Sequence, residues 1–387
     1  MWFAPRVVTV ANNASPPLRQ DQLHNWKLLQ QFQRHLAPRL AGAGASAAAD
    51  HQLTASDYLS FQLFALLNPA LKSARSLCGA SRFARVQQEV CRQPVKLTSF
   101  SEMQHVCNPA LLAGLLRELA AQALPTFGDA GLRAQVGELI ATDGTLLPAL
   151  PRMAWALWQN PQNRAGKLHL EFSVWRQVPA EFTITPANTC ERLVWKTKLR
   201  PGVCYVNDRN YSHDYRLLQA VQASGASFVL RLHNNAVVEK LSPARPLSAT
   251  ARQAGVVEDI PVRLGGKPDG PVGRLVRVEA GGHVFLLFTN RDDLDADLVS
   301  LIYRHRWQIE LFFKWIKCLL GCRHWLAESP AGMTIQIYCA LIASVLLVLW
   351  TGRKPTRRQW ETLQLYWLGW VSLEELTAIL TPKKKSA

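Results

Sequence analysis

Along the first 130 or so residues, apolar positions recur at three- and four-residue spacing, and the alternation of a half-buried strand is missing. That period predicts helices, broken into pieces by the glycine-, alanine- and serine-rich AGAGASAAAD. Thr54 with Asp57 offers an N-terminal cap ahead of YLSFQLFALL, and Asn108 with Pro109 supplies a cap and first-turn pair ahead of ALLAGLLRELAAQAL. From about residue 136 the pattern shortens to runs of strand character: ELIATDG, KLHLEFSVW and AEFTITP, then a helical ERLVWKTKL and the strand GVCYVND. A helix over HDYRLLQAVQASG leads to the strand SFVLRLH. Residues 234–284, rich in glycine and proline around the alternating EDIPVRL and RLVRVEA, predict a β-rich insertion before the strand HVFLLFTN. From Asp295 one helical pattern continues through IYRHRWQIELFFKWIKCLL, followed by an apolar segment. The chain thus divides into an all-helical region over 1–130, an α/β region over 136–350 carrying the insertion, and a basic helical region over 351–387 that ends in PKKKSA.

Composition adds a partner class. With 48% hydrophobic and 19% charged residues, 387 residues suffice for two or three folded domains. The excess of 44 Lys+Arg over 28 Asp+Glu, a formal charge of +16, favours a polyanion, either nucleic acid or an acidic membrane surface. Eight scattered cysteines lack the density of a disulfide-stapled module, and Arg6 interrupts the apolar start, so a cytoplasmic protein is expected. One segment argues for a membrane: Ser329 to Gly352 holds no charge. Thr334, Gln336 and Ser344 within it, and the lack of a second such segment, favour a helix buried in a large core. GGKPDG lacks the spacing of a phosphate-binding loop, which excludes nucleotide hydrolysis by that route.

The carboxylates carry the candidate chemistry. Asp143 follows the run ELIAT and Asp208 follows VCYVN, so two acids sit at the ends of strand-like runs, where ligands gather in α/β sheets. Asp-Gly and Asn-Asp also make ordinary turns. Tyr303, Arg306, Glu310 and Lys317 are separated by three, four and seven residues. At ~100° per residue they fall within a stripe roughly 60° wide, beside an apolar stripe of Ile302, Ile309, Phe313, Ile316 and Leu320. This places Glu310 at the margin of the core, where it can complete a metal site or pair with Arg306 on a surface helix.

The segment YRHRWQIELFFKWIK resembles the Y-R-E-K signature of bacterial insertion-sequence transposases of the DDE type, in the group named after insertion sequence four. ATDGT around Asp143 resembles the first catalytic segment of that family, and NDRNY around Asp208 its second, usually Asp-Arg-Gly-Tyr; Asn210 replaces the glycine and is expected to tolerate a left-handed turn. The resemblance implies a ribonuclease-H-like catalytic core with a β-rich insertion between the second Asp and the Glu; the all-helical region ahead of it, with its basic stretch, is expected to bind DNA ends. It implies Asp143, Asp208 and Glu310 as metal-binding catalytic residues and Tyr303, Arg306 and Lys317 as phosphate holders. It further implies two Mg²⁺ or Mn²⁺ ions about 4 Å apart. The implied activity is cleavage at the element's ends and strand transfer into target DNA, with double-stranded DNA as partner. A homodimer in a synaptic complex, no membrane, and a bacterial, nucleoid-associated cytoplasmic location complete the expectation.

Other basic residues are candidate DNA contacts. Lys72, Arg75, Arg82, Arg85, Arg92 and Lys96 cluster against Glu89 alone, and Arg353, Lys354, Arg357 and Arg358 follow the apolar segment. Lys167 and His169 share a strand face, while Cys318, Cys322 and His324 lack a fourth zinc ligand. The competing functions are a structure-specific nuclease on the same fold that never joins, a DNA-binding relative without catalysis, and an integral membrane protein.

Overall fold

The computed structural model describes residues 25–42, 53–68, 70–150, 153–158, 160, 163–320 and 325–380. The expected break at AGAGASAAAD falls mostly outside them, as do Cys322, His324 and the terminal lysines. The N-terminal part forms α1 (Asn25–Gly42), α2 (Ala55–Leu67), α3 (Ala74–Ala80), α4 (Ala84–Val86), α5 (Leu97–Val106), α6 (Ala110–Gln122) and α7 (Ala130–Val136), with a π-helical turn over Gln87–Cys91. Thr54 caps α2 by accepting from the Asp57 N–H, and Asn108 Oδ1 accepts from Ala110 N ahead of α6.

The α/β part begins with β1 (Glu138–Pro148), β2 (Ala165–Ser173) and β3 (Val178–Pro186), followed by α8 (Glu191–Lys196) and β4 (Val203–Asn207). A 3₁₀ turn (Arg209–His213), α9 (Tyr215–Ala223) and β5 (Ser227–Arg231) come next. The insertion supplies β6 (Val238–Lys240), α10 (Ala249–Gln253), β7 (Val256–Leu264) and β8 (Val272–Ala280), and β9 (His283–Thr289) closes it. All nine strands form one mixed sheet in the order β3-β2-β1-β4-β5-β9-β8-β7-β6. β1 runs antiparallel to β2 and parallel to β4, and β4 parallel to β5. The insertion extends this sheet because β9 pairs antiparallel with β5, Leu230 opposite Phe288.

Alternation along the strands sends side chains to two apolar layers. Leu139, Ala141, Leu170 and Phe172 face the layer that also holds Ile302, Ile309, Phe312 and Ile316, whereas Ile140, Tyr205 and Phe228 pack with Trp195, Leu217 and Val221 of α8 and α9. β4 is buried throughout, as expected of a parallel strand covered on both faces.

Beyond β9, the single helix expected from Asp295 is two: α11 (Ala296–His305) and α12 (Trp307–Leu320). The Arg306 N–H bonds Tyr303 O and the Ile309 N–H bonds Arg306 O, so the ladder tightens locally to three-residue spacing and a turn separates the helices. The expected apolar stripe is buried from Ile302 to Ile316, and Phe172 of β2 stacks on Phe312 at 5.0 Å; the Leu320 side chain lies outside the described residues.

The apolar segment is α13 (Pro330–Thr351), capped by Ser329 and ended by the left-handed Gly352. Length and composition alone would let it cross a membrane, but 89% of its apolar window is buried within the fold. It packs against α1, α2, α5, α6, α12 and β3. A helix covered all round is apolar all round. Helices α14 (Arg357–Trp367) and α15 (Leu373–Leu380) end the described chain.

Candidate active site

Register brings the first two acids together. Ala141 of β1 lies opposite Val206 of β4, so two residues further on Asp143 and Asp208 stand level at the end of the parallel pairing. Asp143 does not end its strand, as the sequence suggested, since β1 continues to Pro148 against β2 alone. Just below the acids, the buried Asn207 amide donates to Thr142 Oγ1 and ties β4 to β1. Asp143 Oδ1 accepts from the Gly144 N–H at 2.8 Å, and Asp208 Oδ1 from the Asn210 N–H at 2.8 Å. Asn210 does not adopt the left-handed backbone expected of it: among the described non-glycine residues only Arg92 and Gln177 have positive φ. The chain after Asp208 turns as a right-handed 3₁₀ helix, which Asp208 itself caps.

The electrostatics are unfavourable as they stand. Loss of hydration pushes the Asp143 carboxyl up to about 7, the neighbouring Asp208 and Glu191 charges adding to the effect while the Gly144 N–H and Arg306 oppose it. Tyr211, fully enclosed beneath the acids, has its phenol raised by burial and then by Glu191, Asp143 and Asp208.

Across from the aspartates, Arg306 Nη2 meets Glu310 Oε1 at 2.6 Å, with only 15% of the Arg306 side chain and 28% of Glu310 exposed. This is not the solvated pair of a surface helix. The Arg306 guanidinium carbon lies 5.8 Å from the Tyr303 ring centroid, and its buried Nε has no hydrogen-bond partner. Its field reaches Asp143, and that of Asp208 reaches Tyr303. Tyr303 and Arg306 are thereby coupled to Asp143 and Asp208 at the end of the parallel pairing of β1 and β4, with Glu310 held there through Arg306, while Lys317 stands half-buried two turns along α12.

Among the described residues no three His, Cys, Asp or Glu side chains close around a point that would hold an ion, Glu310 being turned to Arg306. The donor chemistry nonetheless fits a hard divalent cation. Asp143 and Asp208 each commit one oxygen to a backbone N–H, present only carboxylate oxygens, and repel one another without a cation between them.

The remaining candidates separate. Lys72, Arg75, Arg82, Arg85, Arg92 and Lys96 are all exposed, beside a Phe83 that is 66% exposed. Arg353 and Lys354 are half-buried: Arg353 donates to Leu380 O at the end of α15, and loss of hydration lowers the Lys354 ammonium to about 8. Lys167 donates to Thr189 O, and His169, buried against Thr185 Oγ1, is depressed to about 4 by loss of hydration. Cys318 is exposed. Residues that the pattern did not single out also reach the site. They are Glu191 at the start of α8, the Thr142–Asn207 tie, and Arg231 at the end of β5, whose field reaches Tyr303.

A family model described as "Transposase DDE domain" matches residues 134–346, the span from α7 to α13 that builds this site. The chain belongs to that family. It is 31% identical over 210 residues to "Putative transposase y4zB" of Sinorhizobium fredii, covering 53% of this chain and 58% of that protein. It is 28% identical over 200 residues to "Probable transposase for insertion sequence element IS5377" of Geobacillus stearothermophilus, covering 51% and 52%. The chain thus spans about half the length of these curated relatives. The solved piggyBac transposase synaptic complex with hairpin DNA overlays 95% of this chain and 85% of that one at 10% identity, with a TM-score of 0.42 too low to bear on fold or function.

Proposed function

We propose that this DDE family member is a transposase that cleaves DNA at element ends and joins the freed 3′ ends to target DNA. The observation that carries this reading is the level placement of Asp143 and Asp208 on adjacent parallel strands, opposite the Tyr303–Arg306–Glu310 face. The five strands from β3 to β5 serve as a ribonuclease-H-like core, with β6 to β8 as its insertion. Asp143, Asp208 and Glu310 would hold two Mg²⁺ or Mn²⁺ ions. Bound there, such ions activate the attacking oxygen and stabilise the leaving one in an in-line displacement.

The chain's own residues position the DNA. Arg306 gives up Glu310 Oε1 for a phosphate oxygen, using the unpartnered Nε–H and an Nη–H as a planar fork, and this frees the Glu310 carboxylate for metal. Tyr303, Arg231 and Lys317 flank the same phosphates. The exposed Lys72 to Lys96 surface contacts the double-stranded end, and its affinity falls steeply with salt because neutralised phosphates release counterions. Two copies synapse two ends, in the bacterial cytoplasm beside the nucleoid.

The deciding experiment incubates the full chain and Mg²⁺ with a duplex carrying the genomic junction that flanks its coding sequence, plus a supercoiled target. Cleavage followed by joining is expected. Cleavage that never yields joined product would leave a structure-specific nuclease instead, and DNA binding without either step would leave an inactive relative.

A further inference from the structure

We propose that Glu191 is a positioning residue of this site, its one carboxylate holding the Asp143–Gly144 segment and the Asp208–Asn210 turn in register. The inference rests on the DDE reading of the site. Glu191 opens α8, on the sheet face opposite α12, and only 16% of its side chain is exposed. Its head lies flat against the Gly144 backbone. A Cβ at residue 144 would stand 2.5 Å from Glu191 Oε1 and 2.8 Å from Cδ. Gly144 sits in regular β1 and is not among the positive-φ glycines, so the missing side chain there answers a need for space rather than for an unusual backbone.

The other carboxylate oxygen, Oε2, accepts from Asn210 Nδ2 at 3.4 Å. One group therefore touches the residue after Asp143 and the residue two beyond Asp208. The Asn210 amide supplies the reach that joins the turn to the carboxylate. Behind the carboxylate, Lys167 Nζ lies 3.7 Å from Oε1 while donating to Thr189 O, which anchors the start of α8 to β2. The geometry has an electrostatic counterpart, since the Glu191 charge also raises the Asp143 carboxyl.

Two substitutions reach the same contact from opposite sides. Glu191→Ala removes the carboxylate, and Gly144→Ala displaces it, because the clashing atoms are the far end of a flexible side chain. The test measures cleavage of the genomic-junction duplex over a Mn²⁺ titration. A second readout is the Mn²⁺-induced rise in melting temperature of the full chain without DNA. Each single variant should lower kcat about tenfold, raise the Mn²⁺ needed for half-maximal response in both readouts, and leave KM for DNA unchanged. The double variant should be no worse than Glu191→Ala, since neighbours acting through one contact are not additive. Glu191→Gln, which keeps the shape and one acceptor oxygen, should retain at least about a third of kcat. Wild-type kcat and Mn²⁺ response in Glu191→Ala, multiplying effects in the double variant, or a Gln variant as impaired as Ala would each overturn the proposal. Asp143→Ala runs alongside as the control: if it is inactive while Glu191→Ala is normal, only the positioning role fails, and if it cleaves normally the DDE reading fails with it.

Discussion

The insertion and the candidate active site both recess charged side chains in the same sheet, and they treat those charges in opposite ways. In the insertion, Arg274 is 2% exposed and bonded at all three nitrogens: Nε and Nη2 grip both oxygens of Asp259 at 3.1 and 2.5 Å, and Nη1 donates to Leu294 O and Arg291 O. That bracket ties β7 and β8 to the segment entering α11, and so sets where Tyr303 and Arg306 begin. At the candidate active site Asp143 has one backbone N–H and two neighbouring carboxylates. Where a charge only has to hold the fold, the chain supplies its partner. At the proposed site the Gly144 N–H and the field of Arg306 only partly offset burial and two neighbouring carboxylates, an imbalance that a bound cation would relieve.

The largest expected effect breaks the catalytic side of this contrast. Asp143→Ala, Asp208→Ala or Glu310→Ala should lower Mg²⁺-dependent nicking by about a thousandfold or more, roughly 4 kcal/mol, while gel-shift affinity for the junction duplex stays within about twofold. Substantial nicking by the Asp208 variant would remove that residue from the site.

Two Asp→Asn substitutions sharpen the contrast because their signs should differ. Asp259→Asn leaves Arg274 short of a counter-charge and should cost about 3 kcal/mol in denaturant unfolding. Asp143→Asn should instead raise the melting temperature of the metal-free protein at alkaline pH. The folded Asp143 carboxyl lies near 7 against an ordinary 3.8, so the folded state holds the proton more readily and stability falls as pH rises through that window. The gain from Asn should therefore vanish below about pH 4. A loss of stability at alkaline pH would mean that Asp143 is as well partnered as Asp259.

Arg306→Lys keeps the charge but not the planar fork. It should leave the melting temperature nearly unchanged and slow cleavage or joining about tenfold or more, at least ~1.4 kcal/mol. Near-normal rates in both steps would return Arg306 to being a partner of Glu310 alone.

Smaller effects lie at the supports. His305 packs edge-on against Phe127 at 4.4 Å, and burial depresses its imidazole from 6.5 to about 4. Because the unfolded chain takes up that proton first, wild type should lose stability relative to His305→Phe as pH falls from about 6.5 to 4, and parallel pH profiles would refute this. Asp214 caps α9 by accepting from Leu217 N. Asp214→Ala should cost about 1 kcal/mol of stability and leave nicking intact.

What the sequence determined by itself was local. The change from helical to strand period, the Tyr303–Arg306–Glu310 spacing and the turn after Asp208 depend on residues a few positions apart, where periodicity and turn chemistry act directly, whereas the turn expected after Asp143 gave way to a strand that pairs on to Pro148. Even the apolar α13 was legible as a core helix from its polar residues. Tertiary structure decided whatever needed partners from distant segments. The expected continuous helix tightens at Arg306, and Arg353, basic in composition like its neighbours, spends a donor on Leu380 O once α15 packs beside it. Glu191 reads in sequence as an ordinary acid in the first turn of a helix, favoured there by the helix dipole alone. Only the parallel register of β1 with β4 brings it against Gly144 and Asn210 and gives its charge a neighbour in Asp143. Spacing along a chain fixes which side chains share a face, but the field at each carboxylate is a sum over groups that only the closed sheet brings within a few ångströms.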